Sequence, residues 1–263
     1  MPRAPLDVAV LRARLPARWM RLEVVEQTGS TNADLLAGSG PDALRVLVAE
    51  HQSEGRGRLD RGWSSPPRAG LLFSVRVRPD VGLAQWGWLP LLSGLALAEA
   101  VQDRTGVATA LKWPNDLLAA ASGAKLAGVL AQTTGPDAVV GVGLNVDTQR
   151  AELPVPTAGS LALEGASEVD RTELLAAILD RLDDRLTAWA AAAGDAEASG
   201  IAAAYRARCV TLGSDVRVDV EGSAPLLGTA RDVDDTGRLV LATAHGEQRI
   251  GAGDVTHVRP APG

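Results

Sequence analysis

The feature that most constrains the fold is a change at Cys209 in the spacing of apolar and turn-forming residues. Before it, apolar stretches alternate with two long helical segments, predicted over 86–104 and 171–193. After it come short strand-like segments (VRVDV, LGTARDV, RLVLAT and EQRIGAG), separated by Gly, Asp and Pro at roughly ten-residue spacing. This second pattern is typical of a small antiparallel barrel or sandwich. We therefore expect an α+β domain over residues 1–208 and a compact all-β domain over 209–263.

Within the first domain the apolar pattern predicts a sheet with several helices. The predicted strands are 19–25, 46–50, 71–78, 108–113, 125–133 and 138–146. TGSTNADLLAG indicates a turn into a helix, with Ser30 or Thr31 as the N-cap. Gly106 is expected to end the first long helix, and 197–208 predicts a further amphipathic helix. Little regular structure is expected over 147–168.

Composition excludes several classes of protein. With 263 residues, 46% hydrophobic and 22% charged, the chain matches a globular protein, and no apolar run approaches the ~20 residues needed to cross a bilayer. The first twenty residues lack a signal-peptide pattern, so we expect a cytoplasmic location. The net charge of −6 argues against a protein that mainly grips nucleic acid. The single cysteine, Cys209, excludes an internal disulfide and a cysteine-based zinc cage.

The basic residues are strongly biased towards arginine. Of the 26 Lys and Arg residues only two are lysines, Lys112 and Lys125, which leaves 24 arginines. A lysine kept in such a chain indicates a position that requires a compact ammonium rather than a planar guanidinium. The alternative is that two surface lysines lie close together by chance, so both are candidates only.

EGRGRLDRGW, residues 54–63, is an anion-binding candidate. Its glycines allow backbone N–H groups to approach an anion, and Arg56, Arg58 and Arg61 offer forked donors. No GKS or GKT follows, so it is not a P-loop, and no GxGxxG opens a helix. A phosphate-ligand loop, another anion site and a plain solvated loop all remain open. Because its arginines repel one another, we expect the loop to be mobile until an anion binds.

LKWPNDLL, residues 111–118, predicts a turn that presents polar side chains at a strand end. Pro114 disfavours helix at the residue before it and supports a turn. Asn115 offers a donor and an acceptor suited to a nucleobase or ribose, and Asp116 a carboxylate that orients a base or a metal-bound water. Ordinary Asn-Asp turn chemistry explains the same residues equally well.

Two apolar strands carry further candidates. Lys125 opens the strand in GAKLAGVLAQ (123–132), so its ammonium lies at the strand's mouth or is buried with an anion. In VVGVGLNV (139–146) two glycines interrupt an apolar strand that ends at Asn145, which indicates a ligand or backbone passing close by.

No pattern indicates a nucleophilic triad or a protein-held transition metal. The three histidines, His51, His245 and His257, stand in no evident relation to a nucleophile, and no clustered His/Cys/Asp spacing occurs. The candidate residues can instead bind anions and stabilise developing charge, and this capacity favours acyl or phosphoryl transfer as the reaction.

Taken in order, five segments resemble the biotin–protein ligases. They are STN (30–32), AEHQSEGRGRLDRGW (49–63), KWPND (112–116), KLAGVL (125–130) and GVGLNV (141–146). The resemblance covers nearly the whole chain from about residue 20. It implies a mixed-sheet catalytic domain of the class II synthetase-like type, followed by a small SH3-like β-barrel. It also implies formation of biotinyl-5′-AMP from biotin and ATP, release of pyrophosphate, and transfer of biotin to a lysine of a biotin carboxyl carrier domain of acyl-CoA or pyruvate carboxylases.

The resemblance also implies roles for individual residues. Lys125 and Arg58 are the expected catalytic residues, which hold the biotin carboxylate and the α-phosphate together. The expected biotin-binding residues are Ser30, Thr31, Asn32, Gln52, Gly55, Arg56, Gly57, Arg58 and Lys125. The expected ATP and adenylate-binding residues are Arg58, Arg61, Trp63, Asn115, Asp116 and Asn145. Mg²⁺ is expected to enter with ATP and to have few dedicated protein ligands.

The sequence departs from the family pattern in two places. Asp60 stands where members often carry Gly, so an acid is expected to pair with Arg58 or Arg61 in the empty loop. Only about twenty residues precede the catalytic region, too few for the DNA-binding module of some members, so we expect a ligase without that module. We also expect no membrane or nucleic-acid partner, and a monomer or weak homodimer.

Two alternatives are weighed against this interpretation. A lipoate–protein ligase shares an adenylating lysine but is not expected to combine GRGR with KWPND. An octanoyl transferase needs a cysteine nucleophile, whereas the single cysteine, Cys209, lies away from every motif. A biotin-responsive DNA-binding regulator is opposed by the acidic balance and the short N-terminal segment.

Overall fold

The protein is described by a computed structural model that covers residues 3–38, 45–58, 61–220 and 222–258. The predicted pairing of Asp60 lies outside these residues. The chain begins with helix α1 (Val8–Arg14), whose first N–H groups are capped by the Asp7 carboxylate, and continues through a short 3-10 turn at Ala17–Trp19.

A seven-stranded mixed sheet forms the core of the first part of the chain. Its strands are β1 (Leu22–Val25), β2 (Val46–Ala49), β3 (Gly70–Val77), β4 (Thr109–Lys112), β5 (Asp116–Ala119), β6 (Lys125–Thr134) and β7 (Asp137–Asn145). The spatial order is β1-β2-β3-β7-β6-β5-β4, and only the β1–β2 pair is parallel. The central strands β3 and β7 are buried along their whole length and are mostly apolar, although β3 also buries Ser74 and Arg76.

Helices cover both faces of this sheet. The long helices α3 (Leu89–Thr105) and α4 (Arg171–Ala191) pack on each other and on one face, where the largest apolar cluster lies. The short helix α2 (Thr31–Ala37) packs on the other face through Leu35, which meets Leu47 and Val139. Because α2 covers only part of its face, a hollow remains beside its N-terminus.

The C-terminal part forms a second, antiparallel sheet. Its strands are β8 (Asp215–Asp219), β9 (Leu226–Val233), β10 (Leu239–Thr243), β11 (Gly246–Ile250) and β12 (Asp254–His257), in the order β11-β10-β9-β8-β12. The turn between β9 and β10 packs into the first part of the chain. There the indole N–H groups of Trp88 and Trp113 donate to the carbonyls of Asp235 and Gly237, at 3.0 and 3.1 Å.

The predicted fold class, a mixed-sheet α/β domain followed by an all-β segment, is confirmed. Closure of the second sheet into an SH3-like barrel, and a boundary at 208/209, stay predictions. Ser30 is the N-cap of α2 and Gly106 ends α3 in a left-handed conformation, both as expected. No helix in the described ranges is long and apolar enough to span a membrane.

Three elements differ from the sequence prediction. Asp116 begins a strand instead of lying inside a turn, because Trp113–Asn115 make the whole reversal between β4 and β5. The strand β12 was not predicted from DVTH, four residues that pair only with β8. The helix expected over 197–208 is only α5 (Ile201–Arg206), since the Asp195 carboxylate caps a separate turn and Gly200 adopts a φ of 74°.

Candidate functional site

A cavity of about 1060 Å³ opens beside the N-terminus of α2. Its walls include that terminus, the described part of the 52–63 loop, strands β4 to β7, the 154–158 segment and the whole of β12. All but one of the side chains and loop residues predicted to bind substrates line it; these are Ser30, Thr31, Asn32, Gln52, Arg56, Gly57, Arg58, Arg61, Trp63, Asn115, Asp116, Lys125 and Asn145. Gly55 does not line this cavity but a second, smaller hollow at the same loop.

The floor of the cavity is a strip of glycines at the centre of the sheet. Gly128 of β6 lies directly opposite Gly143 of β7, and the Trp63 ring rests on both. A Cβ atom on Gly143 would lie 2.4 Å from the Trp63 ring, and one on Gly141 would lie 2.1 Å from Oδ1 of Asn32. The glycines predicted to admit a close neighbour therefore admit two side chains of the site itself.

At one end of the cavity Asn32 lies across three strands. Its Nδ2 donates to the Leu130 carbonyl at 3.2 Å and to Gln132 at 2.8 Å, and its Oδ1 accepts from the Ser74 hydroxyl at 2.6 Å. Gly141 lies between Ser74 and Leu130 in the register. The Asn32 amide is thus fixed in one orientation.

Thr31 and Gln52 extend this network. Oε1 of Gln52 accepts from the Thr31 backbone N–H at 2.8 Å and lies 3.0 Å from its hydroxyl, which also contacts the Ser74 hydroxyl at 2.7 Å. Since a backbone N–H only donates, Oε1 of Gln52 faces Thr31 and its Nε2 is left for the cavity.

Lys125 lies at the opposite side of the glycine strip. Its Nζ forms a 2.5 Å ion pair with Oδ1 of Asp116 and lies 5.9 Å from the centre of the Trp63 ring. The backbone of Lys125 is fixed on both sides, because its N–H donates to Thr157 and its carbonyl accepts from Gly159, each at 2.8 Å. The ammonium is therefore presented at the mouth of β6, and 36% of the side chain is exposed.

On either side of residues 59 and 60, the arms of the loop that carries the arginines pair with each other as a closed hairpin. The N–H of Trp63 donates to Gly55 at 2.8 Å and the N–H of Gly57 to Arg61 at 2.6 Å. Arg61 forms an ion pair with Asp254 at the start of β12, which raises the pKa of the Arg61 guanidinium. Burial lowers the pKa of Arg58, although Asp116 and Asp254 oppose the shift. Arg58 keeps its charge at any ordinary pH.

Lys112 is the last residue of β4 and acts electrostatically on His257, the last residue of β12. Burial, followed by the charge of Lys112, lowers the pKa of His257, and its buried Nε2 has no hydrogen-bond partner among the described residues. Both residues line the cavity. In the same described ranges, the Lys112 ammonium has no ion pair or hydrogen bond.

The side-chain amides of Asn115 and Asn145 each donate one hydrogen bond to a backbone carbonyl of the protein. Nδ2 of Asn115 donates to Val129 at 3.0 Å, and Nδ2 of Asn145 donates to Gly159 at 2.9 Å. These bonds join the predicted nucleotide-binding motifs to the strands beside them. The carbonyl oxygen and the second N–H of each amide are left for a ligand.

Sequence reasoning missed several residues of this site. Ser74, Asp254 and His257 were not among the candidates, and Lys112 received no role. A serine inside the otherwise apolar LLFSV stretch was the one available signal for Ser74. The β12 residues gave none, because their place in the cavity depends on how the second sheet packs on the first. No cluster of three metal-ligating side chains occurs within the described part of the chain.

Comparisons with known proteins agree with this architecture. Residues 22–148 match the family model described as "Biotin/lipoate A/B protein ligase family", and residues 211–258 match "Biotin protein ligase C terminal domain". The chain is 46% identical to the biotin–[acetyl-CoA-carboxylase] ligase of Mycobacterium tuberculosis, over 98% of this chain and 97% of that protein. It is 31% identical to the ligase of the same name from Paracoccus denitrificans, over 88% and 98%.

Among solved structures, the chain superimposes on the biotin protein ligase of Aquifex aeolicus in complex with biotin and ATP. The TM-score is 0.74 at 30% identity, with 91% of this chain and 99% of that chain covered. Sequence, domain models and fold therefore agree along nearly the whole length. The chain belongs to the biotin/lipoate A/B protein ligase family, as an enzyme of the biotin–[acetyl-CoA-carboxylase] ligase type.

Proposed function

We propose that the enzyme activates biotin with ATP, giving biotinyl-5′-AMP and pyrophosphate, and then transfers biotin to a lysine of a biotin carboxyl carrier domain of acyl-CoA or pyruvate carboxylases. We place this activity in the cytoplasm, in a catalytic domain over 1–208 and a second domain over 209–263. The observation that carries the proposal is the hydrogen-bonding pattern at the α2 end of the cavity.

That end offers two donors and two acceptors. Ser30 accepts from the Ala33 N–H, and its own proton has no acceptor among the described residues; the Gln52 amide likewise keeps Nε2 unbonded there. Thr31 and Asn32 each keep an oxygen lone pair towards the cavity. A ureido group has a carbonyl that accepts two hydrogen bonds and two N–H donors, so the two patterns are complementary. The dithiolane ring of lipoate has no such donors.

The cations at the other end fit the first half-reaction. A carboxylate and an α-phosphate repel each other, and Lys125 and Arg58 reduce this repulsion and stabilise the charge that develops as the acyl phosphate bond forms. Arg56, Arg61 and Trp63 lie on the closed hairpin, which supports a role in covering the adenylate and excluding water. Five cations and two carboxylates line the cavity, a net of three positive charges, as an anionic pair of substrates requires.

Asp116 is the carboxylate best placed to share a Mg²⁺ that enters with ATP, since this ion is commonly held by one or two carboxylates and by phosphate oxygens. The ion would offset phosphate charge. In the second half-reaction the carrier's lysine amine attacks the acyl carbonyl and AMP leaves. No nucleophile of the enzyme is needed.

The test is incubation with ATP, a biotin carboxyl carrier domain and either radiolabelled biotin or radiolabelled lipoate. We expect label on the carrier with biotin only, dependent on ATP, with one pyrophosphate released per biotin attached. Attachment of lipoate, or of biotin without ATP, would contradict the proposal.

A further inference from the structure

Ser74 is a fully buried serine of β3 that does not line the cavity. Its hydroxyl nevertheless lies 2.7 Å from the Thr31 hydroxyl and 2.6 Å from Oδ1 of Asn32. We propose that Ser74 is a positioning residue that sets the donor and acceptor pattern of Thr31 and Asn32, and through them selects an acid with a ureido group. This inference rests on the proposed function, because it concerns recognition of the same substrate.

Two backbone groups determine the direction of every hydrogen bond in the network. The Leu130 carbonyl only accepts, so the atom of Asn32 that approaches it is Nδ2 and the atom that faces Ser74 is Oδ1. The Thr31 backbone N–H only donates, so Oε1 of Gln52 faces it. Neither amide can flip without losing a bond to the backbone.

The protons of the two hydroxyl groups then have defined places. Oδ1 of Asn32 only accepts, so the single Ser74 proton lies on that bond. The 2.7 Å contact between the two hydroxyls must therefore use the Thr31 proton, which Ser74 shares with Oε1 of Gln52. Hence Thr31 has no proton to offer the cavity and presents only a lone pair to the substrate.

Removing the Ser74 hydroxyl would undo this arrangement. Asn32 would keep its bond to Leu130 but lose the donor to Oδ1, and the Thr31 proton would lose its nearest acceptor. With only Oε1 of Gln52 left as an acceptor, at 3.0 Å, the Thr31 hydroxyl would be held less firmly and would turn its proton part of the time towards the cavity, where the substrate presents an N–H. The Thr31 hydroxyl would then meet the substrate N–H donor to donor, and Oδ1 of Asn32 would lack a hydrogen-bond donor. Buried polar groups without partners are costly in free energy.

The experiment measures biotin affinity by calorimetry, the KM for ATP and the temperature of unfolding in Ser74→Ala. We expect the Kd for biotin to rise about tenfold, equivalent to about 1.4 kcal/mol, with the KM for ATP within twofold of wild type. The matched control is Ser93→Ala, because Ser93 is also buried but its hydroxyl donates within α3, to Leu89. Its Kd for biotin should stay within twofold of wild type.

A double-mutant cycle separates positioning from a general loss of stability. We compare how many-fold Ser74→Ala raises the Kd for biotin in wild type and in Asn32→Ala. In Asn32→Ala this rise should be at most one third of that in wild type, because one of the two side chains that Ser74 positions is absent. Equal factors in both backgrounds, or equal Kd values for Ser74→Ala and Ser93→Ala, would overturn the role of Ser74. If Ser74→Ala does not fold, Ser74→Cys keeps the size with a weaker donor and takes the same test.

The outcomes also distinguish this inference from the proposed function. Wild-type enzyme that binds no biotin would overturn the proposed function itself. Wild-type enzyme that binds biotin, together with a Ser74→Ala variant that binds it equally well, would overturn only the positioning role.

Discussion

Lys112 and Lys125 are the only lysines of the chain, and they occupy different electrostatic surroundings. Lys125 is paired with Asp116 and lies beside the Trp63 ring, so its charge is held in place before any substrate binds. Lys112 has no ion pair among the described residues and acts on the pKa of His257 instead. The arginine bias of the sequence thus indicated two lysines that both line the cavity.

The first residue-level prediction concerns the cations at the reacting end. Lys125→Ala and Arg58→Ala should each lower biotin-dependent exchange of pyrophosphate with ATP by about 10²–10³-fold, the usual loss when one preorganised charge-stabilising group is removed. Circular dichroism should stay that of wild type, because both side chains are partly exposed. Arg217→Ala, which removes an exposed cation of β8, is the control and should leave exchange unchanged. Normal exchange in both cavity variants would show that other residues perform the step.

A second prediction concerns the glycine strip beneath Trp63. In Gly143→Ala the new Cβ would lie 2.4 Å from the ring, so the indole must move, whereas in Gly128→Ala the nearest ring atom lies 3.4 Å away. If Trp63 contacts the nucleotide, we expect the KM for ATP to rise about tenfold or more in Gly143→Ala and less than threefold in Gly128→Ala. Intrinsic fluorescence reports whether the indole has moved. A moved indole with an unchanged KM would contradict a role for Trp63 in ATP binding.

At the scale of elements, the sequence predicted those parts that depend on local pattern. The N-cap at Ser30, the glycine end of α3 and most strands follow from the period of the apolar residues and from the geometry of Gly and Ser. The strands β5 and β12 were missed because each has four residues and is defined by its partner strand, not by its own composition. Those residues of the candidate site that belong to motifs in loops and at strand ends were predictable from the sequence. Ser74 and Asp254 belong to it through packing alone.

The 52–63 hairpin gives an element-level prediction. The Arg61–Asp254 ion pair is largely exposed, and such pairs contribute little, so this pair holds the hairpin to β12 only weakly. In Asp254→Asn without substrates, trypsin should cleave the loop at its arginines up to about fivefold faster than in wild type. Biotin with ATP should slow this cleavage in both proteins, because bound anions replace Asp254 as partners of the arginines.

Two comparisons test the cause of this effect. Salt at about 0.5 M should speed cleavage of wild type but not of Asp254→Asn, because salt screens an exposed pair that the variant has already lost. Glu247→Gln, which removes an exposed carboxylate beside Arg249 in the same sheet, should cleave at the wild-type rate. A loop equally sensitive in all three proteins would mean that Asp254 does not hold it.

For the whole molecule, the two sheets share one apolar cluster. The cluster includes both Leu11 of α1 and Val255 of β12, and the indole N–H groups of Trp88 and Trp113 donate to the β9–β10 turn. The sequence showed two different patterns of apolar residues and therefore predicted two units. It could not predict their contact, because the polar residues around Trp113 indicated a ligand-binding motif rather than a contact with the second sheet. The strand β12 consequently becomes a wall of the cavity. We expect both parts to unfold in a single calorimetric transition.

The last prediction uses His257, which lies at this contact. Burial and Lys112 lower its pKa below the ordinary 6.5, so the folded protein holds the ring neutral while the unfolded chain protonates it near pH 6.5. The unfolded state then binds more protons, and the stability contributed by the neutral ring is complete above pH 6.5 and decreases as pH falls towards the folded pKa. Paired carboxylates such as Asp137, whose pKa is lowered from 3.8, lose their contribution only at lower pH. Between pH 7.5 and 5.5 the unfolding temperature of wild type should therefore fall more than that of His257→Gln, whereas His245→Gln, at an exposed position, should follow wild type. Equal falls in wild type and His257→Gln would mean that the contact between the sheets admits a charged imidazole.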